Sequence, residues 1–138
     1  MGNLNKALGK LIGSVIKNID FDLGRNRISF ELEAHYAEGI TQHCVNFDRV
    51  SLFYFINNNT DTRKIFHIIG EGDYKDGYLE FTYAEAMDEV DFIPKIHKSK
   101  AMFKNCSGKV NVFIEIWNKV LFIEAELAYV DGVEYTLV

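Results

Sequence analysis

The strongest constraint in this sequence lies between residues 112 and 125, where apolar side chains recur at every second position on both sides of a short polar step. With Asn118-Lys119 taken as a two-residue turn, Ile116 faces Leu121, Ile114 faces Ile123 and Val112 faces Ala125. All six are apolar and share one face, so register and pattern agree. Asp131-Gly132, a preferred hairpin dipeptide, then returns Val133 to Val138 as a closing strand. The pattern predicts a three-stranded antiparallel meander.

The same period of two appears upstream. From Arg27 to Tyr36 the apolar residues occupy one parity and the polar residues the other, which predicts a half-buried strand with a solvated face. Gly24-Arg25-Asn26 turns this strand back on Ile19 to Leu23. Between Cys44 and Ile56 the parity slips: Val45 and Phe47 share one face, then Val50, Leu52, Tyr54 and Ile56 share the other. A slip of one residue across Asp48-Arg49 requires a bulge or a sharp bend, since the buried face would otherwise invert. Asn57-Asn58-Asn59 is a polar turn cluster that ends the strand. Asp76-Gly77 is expected to join strands in Ile65 to Tyr74 and Tyr78 to Tyr83, although Asp61 to Ile69 also suits a short capped helix. Ala84 to Gly108 is the longest stretch without strand character. It contains Pro94, and a short helix is expected near Ala84 to Val90.

At the N-terminus the period is helical. Leu4, Leu8, Leu11, Ile12 and Val15 form one apolar stripe, with Asn3 as N-cap and Lys6, Lys10 and Lys17 on or beside the polar side. A helix of this length is marginal alone and must pack on something. The chain has 138 residues, of which 48% are apolar and 25% charged, enough for one domain over 1–138 with a core that needs no metal or disulfide. The expected fold is α+β and mainly antiparallel β. An N-terminal amphipathic helix packs on a roughly seven-stranded antiparallel sheet or small sandwich.

Charge and composition narrow the function. A net charge of −5 argues against a general nucleic-acid binder. No segment approaches the roughly 18 uninterrupted apolar residues of a membrane span, and lysines interrupt the first 17 positions where a signal peptide would be apolar. Gly2 lacks the Ser or Thr that a myristoylation signal wants where Lys6 stands. A cytoplasmic protein with Cys44 and Cys106 as free thiols is expected, and the sequons at Asn58 and Asn105 are then chance matches.

Two surfaces stand out. In the predicted register the outer face of the meander carries Phe113, Glu115 and Trp117 beside Val120, Phe122 and Glu124, which is too apolar for a fully solvated face. Either the helix or a second sheet covers it, or it is a docking patch of the kind aromatic residues favour. Between Glu71 and Asp91 there are eight acids, Glu85, Asp88 and Glu89 among them, against the single base Lys75. Lys95, Lys98, Lys100, Lys104 and Lys109 follow with no acid before Glu115. Such runs are ordinarily solvated loop charges. As a functional feature, the acidic stretch suits recognition of a basic protein partner. The lysines, interleaved with Phe92, His97 and Phe103, make a weaker case for phosphate contact.

Catalytic signatures are sparse. His35, His43, His67, His97, Cys44 and Cys106 form no CxxC, HxxxH or HExxH spacing, so neither metal nor other cofactor is expected. His43 and Cys44 adjoin, but neighbours on a strand point to opposite faces and cannot pair directly. Glu31/Glu33 and Glu124/Glu126 share strand faces, where solvation outweighs acid–base work, and Gly70-Glu71-Gly72 is too short for a dinucleotide loop. The expected function is a non-enzymatic protein-interaction module using Glu85, Asp88, Glu89, Phe113, Glu115, Trp117 and Phe122. Its last strand, Val133 to Val138, offers an edge for homodimerisation. In size and charge alone the chain resembles small acidic accessory proteins such as immunity proteins that neutralise a basic toxin, a likeness that transfers no residues. The alternative is a small-molecule binder or enzyme with a pocket between sheet and helix lined by Tyr54, Phe81, Tyr83 and Tyr129.

Overall fold

The computed structural model describes residues 2–57, 79–92 and 108–137. In chain order these form α1 (Gly2–Gly9), β1 (Val15–Asp22), β2 (Arg27–Tyr36), β3 (Gly39–Asp48), β4 (Leu52–Asn57), β5 (Phe81–Phe92), β6 (Gly108–Ile116), β7 (Lys119–Glu124), β8 (Leu127–Val130) and β9 (Val133–Thr136). The nine strands of the described residues divide into a five-stranded sheet of order β1-β2-β3-β8-β9 and a four-stranded sheet of order β4-β7-β6-β5. Every pairing is antiparallel. The protein is therefore α+β, mainly antiparallel β, built as a small two-sheet sandwich.

The alternating strand β2 supplies the inner face of the first sheet. Ile28, Phe30, Leu32 and Ala34 are all buried, joined from β3 by Val45 and Phe47 and from β8 by Ala128 and Val130. From the second sheet Phe81, Val112, Ile114, Ile116, Leu121 and Ile123 meet them. Phe30 lies at the meeting point, edge-on to Phe47 of its own sheet and to Phe81 of the other, with centroid separations of 6.3 and 5.8 Å. Strand β1 ties the sheets together. Near its start Ile16 N–H donates to Leu79 O, and Phe81 N–H donates to Ser14 O just before it, both at 2.8 Å. Near its end Phe21 rests against Phe53 of β4, 5.1 Å away. Because β5 and β4 are opposite edges of the second sheet, β1 runs across that sheet rather than along it, as in crossed sheet packing.

The parity slip at Asp48-Arg49 coincides with a change of sheet, and the face expected to stay buried does not. In β4 Leu52, Tyr54 and Ile56 lie opposite Glu124, Phe122 and Val120 on the outer side, while Phe53 and Phe55 lie opposite the core residues Ile123 and Leu121. Arg49 takes φ 53°, and the chain leaves β3 in one layer to enter β4 in the other. Val50 N–H then donates to Asn26 O and Ser51 N–H to Glu124 O, which fixes the corner. Asp131 and Gly132 both adopt positive φ, 51° and 83°, the backbone a two-residue hairpin turn demands, and β9 returns on β8 as expected.

Three further expectations are corrected. The expected three-stranded meander is divided between the sheets: β6 and β7 pair in the four-stranded sheet, whereas β8 and β9 pair in the five-stranded one. Its first hairpin turns at Trp117-Asn118, so Ile116 pairs with Lys119, Ile114 with Leu121 and Val112 with Ile123. The slip is two residues, an even number, so each side chain keeps its face even though its partner changes. Asn111 explains why Ala125 is displaced from the ladder. It is fully buried, donates its side-chain amide to Ala125 O (2.8 Å) and accepts Ala125 N–H (3.1 Å), standing in for a strand backbone. The N-terminal helix is also shorter than its stripe. It ends at Gly9, Leu11 is buried in the turn that follows, and Val15 already belongs to β1 opposite Glu33. Finally, Ala84 to Val90 is part of the twelve-residue strand β5 and not a helix. Ala84 and Ala86 are buried where α1 packs on β5, and small side chains there admit the helix. Asn5 of α1 completes the contact by bonding both ways to the Ala86 backbone, at 2.9 and 2.7 Å, beside the register shift after Ala86. The expected Asp76-Gly77 hairpin, the alternatives for Asp61 to Ile69, and Lys95 to Lys104 lie outside the described residues.

Removing the Asn111 side chain leaves a buried N–H and C=O of Ala125 without partners. N111A is therefore expected to lower the unfolding free energy by about 2–4 kcal/mol in urea titration, from roughly 1–3 kcal/mol per orphaned group with partial relaxation. An unchanged midpoint and slope would contradict that role.

Candidate functional site

The two sheets turn outer faces of opposite character to their surroundings. On the first sheet the outward positions of β2 and β3 are mostly polar, Ile40 and Cys44 excepted, and several bond to one another. Arg27 donates from Nη2 to Asp48 (3.1 Å) and Gln42 to Glu33 (3.0 Å), while His35 lies 3.1 Å from Glu33. The Gln42 hydrogen bond, opposed by burial and then helped by the charges of Lys17 and His35, holds the Glu33 carboxyl below its ordinary range. This is a solvated surface.

The outer face of the second sheet is aromatic. Tyr54 of β4 lies opposite Phe122 of β7, and Phe122 opposite Phe113 of β6, in consecutive cross-strand pairs. Phe113 and Phe122 have ring centroids 5.4 Å apart, and Tyr83 of β5 adds a ring 6.2 Å from Phe113. The result is a row of four rings across all four strands, with Tyr54 42% and Tyr83 38% exposed and the two phenylalanines half-buried. Carboxylates border it. Glu85 pairs in register with Phe113, Glu115 lies between Tyr83 and Val120, and Glu124 continues β7. The Tyr83 hydroxyl donates to Glu85 at 2.9 Å, and this bond, then burial and the charges of Glu85 and Glu115, raises the phenol above its ordinary value.

Of the residues singled out from sequence, Phe113, Glu115, Phe122 and Glu85 share this one face. Asp88 and Glu89 lie further along β5, exposed, between the pairs Ala86↔Val112 and Val90↔Val110 where the register shifts. Glu89 is 3.6 Å from Lys109, an exposed contact of little energetic weight. Trp117 is withdrawn from the surface. The moved turn takes it off the strand face, it is only 9% exposed, and its backbone N–H donates to Thr82 Oγ1 at 2.8 Å. The four residues expected to line one pocket do not converge. Phe81 is wholly buried in the core, Tyr54 and Tyr83 stand on the outer face, and Tyr129 is on the first sheet with its hydroxyl on Glu134. A recess of about 350 Å³ opens elsewhere, between the β1–β2 turn and the β3–β4 corner, lined in part by Asp22, Arg27, Ser51 and Phe53.

Sequence reasoning assigned Tyr54 and Tyr83 to a pocket and so missed their part in the row of rings. Alternation grouped Tyr54 with Leu52 and Ile56 as a buried face, and its place beside Phe122 depends on a sheet order that spacing does not reveal. It also passed over Thr41 and Asp131, which contact His43 in the first sheet. Cys44 and His43 do point apart, as strand geometry requires: the thiol donates to Asn46 Oδ1 at 3.5 Å, while the imidazole meets Thr41 and Asp131. Among the described residues no group of three or more His, Cys, Asp and Glu is placed to hold a metal ion.

A mainly antiparallel α+β sandwich, polar on one outer face and aromatic with a carboxylate border on the other, is the class of protein these features define. The chain belongs to the YxiG-like protein family, which it matches over residues 4–135. No curated protein and no solved structure matches it. Among the described residues no helix is long and apolar enough to cross a membrane.

The link between Tyr83 and Glu85 is directly testable. E85Q removes the charge that resists phenolate formation, so the Tyr83 ionisation is expected to move down toward the ordinary value of 10.0 when followed by carbon NMR of the ring. A midpoint identical in wild type and variant would show that Glu85 does not act on it.

Proposed function

We propose that this protein is a cytoplasmic interaction module that receives a basic protein on the outer face of its four-stranded sheet. The observation that carries the reading is the contrast between the two outer faces. A sheet face exposed only to water is expected to resemble that of the first sheet, with outward positions given to polar side chains. The second sheet spends those positions on Tyr54, Phe122, Phe113 and Tyr83. Rows of aromatic rings supply large, stiff contact area at interface centres. Glu85, Glu115 and Glu124 border the rings, and Asp88 and Glu89 extend the negative edge along β5. Arginine and lysine side chains suit such a surface, because a cation gains from the ring faces and from the carboxylates together. The chain's net charge of −5 supports the same sign of partner and disfavours nucleic acid.

The test compares the wild-type protein with a variant carrying Glu85→Lys, Asp88→Lys and Glu89→Lys as baits for native lysate. The expected outcome is one stoichiometric protein of basic isoelectric point on the wild type, lost on the variant and released by salt. Equal retention of that protein by both baits would refute a role for the acidic edge. Self-association is proposed through β9, which among the described residues pairs only with β8 and presents Val133, Glu134 and Thr136 to solvent. Light scattering is expected to report a dimer at high concentration. A monomer at every concentration would dismiss the edge contact.

A further inference from the structure

The first sheet carries a second arrangement, separate from the aromatic face and independent of the docking reading. Thr41 and His43 are two residues apart on β3 and share a strand face, opposite Ala34 and Leu32 of β2. Thr41 Oγ1 lies 2.8 Å from His43 Nε2, and His43 Nδ1 lies 2.7 Å from Asp131 Oδ2. A carboxylate can only accept, so in the neutral imidazole Nδ1 carries the proton and Nε2 is the acceptor for the Thr41 hydroxyl. Hydroxyl, imidazole and carboxylate thus form a directed chain in which each group orients the next.

Asp131 is held from its backbone. It occupies the β8–β9 turn at φ 51°, its N–H donates to Cys44 O (2.8 Å), and its Oδ1 accepts Cys44 N–H (2.9 Å). Those two bonds close the β3–β8 ladder where β8 ends, at Val130 opposite Val45. Oδ2 is left over from that structural task and is the atom that meets the imidazole. The His43 side chain is 20% exposed and Thr41 is exposed, so the ring is packed while the hydroxyl is reachable. A recess of about 270 Å³, lined by Lys17, Glu31, Gln42, His43, Cys44 and Asp131, adjoins the imidazole and the carboxylate; Thr41 is not part of its lining.

The geometry points to Thr41 as an acyl-accepting nucleophile, with His43 as its general base and Asp131 as the positioning residue, acting on small activated carboxylic esters. In the first step Thr41 Oγ1 attacks the ester carbonyl carbon and passes its proton to His43 Nε2. The bond from that carbon to the leaving oxygen breaks, and the departing oxygen takes the proton back from Nε2. Water then attacks the Thr41 ester with Nε2 as base. The bond from Oγ1 to the acyl carbon breaks, Thr41 recovers its proton, and the carboxylic acid leaves. No oxidant or cofactor is required. The hydroxyl stands open to water, so the substrates it suits are esters whose leaving group departs readily, such as aryl acetates.

The probe is p-nitrophenyl acetate, with release of p-nitrophenolate followed for the wild type, T41S, T41V and H43Q. Thr41 is an exposed strand residue and Val has nearly its shape, so T41V keeps the fold, which circular dichroism checks. The wild type is expected to turn over roughly 10²-fold faster than T41V or H43Q, with T41S retaining activity, the scale of a positioned general base. Peptide mapping after a short exposure is expected to find acetyl on Thr41. For Asp131 the readout is the imidazole tautomer by nitrogen NMR: proton on Nδ1 in the wild type, and loss of that preference in D131N. Equal rates for wild type and T41V, or acetyl found only on lysines and the N-terminus, would overturn the assignment.

Discussion

The structure depends on the burial of Phe30 between the sheets. Its ring reaches Phe47 within its own layer and Phe81 across the interface, and all three are fully buried. Phe81 opens β5 immediately after the residues whose backbone bonds to the start of β1. The same few residues therefore pack the core and join the two sheets. Burying a side chain of this size gives roughly 1.5–3 kcal/mol relative to leaving it exposed, a sizeable share of the stability of a small domain. Helix α1 closes the core with Leu4 and Leu8, and needs the small Ala84 and Ala86 beneath it to do so.

With the inner faces committed to that core, alternation leaves the outer faces free to differ, and they do. The first sheet pairs its outward charges among themselves, Arg27 with Asp48 and Glu33 with Gln42 and His35. The second lays Tyr54, Phe122, Phe113 and Tyr83 side by side and borders them with carboxylates. The proposed docking surface and the Thr41–His43–Asp131 chain sit on different sheets and use different residues. Loss of one leaves the other in place.

Much of this was legible before the fold was known, and the failures have physical reasons. Parity along β2 placed Ile28, Phe30, Leu32 and Ala34 in the core correctly. The strand expected to complete the meander joined the other sheet. The β6–β7 hairpin kept its buried face although its turn moved to Trp117-Asn118, because the slip was an even number of residues. The same move took Trp117 out of the proposed surface. Ala84 to Val90 read as helical because Ala, Glu and Met favour helices, yet ladder bonds to β6 outweighed that preference. The helical stripe ran to Val15 on paper, but Val15 was required opposite Glu33 and bridged to Glu80.

The sequence by itself determined fold class, strand alternation, the acidic balance and the turn at Asp131-Gly132, since each follows from local period, charge or backbone preference. Only the tertiary structure decided that Asp48-Arg49 is a passage between sheets, that four aromatic residues from four strands align on one face, and that Asp131 reaches His43 from 88 positions away. Local period tells a side chain which face to take. Which strands lie beside one another depends on the burial of the whole core, and that is settled by contacts distant in sequence.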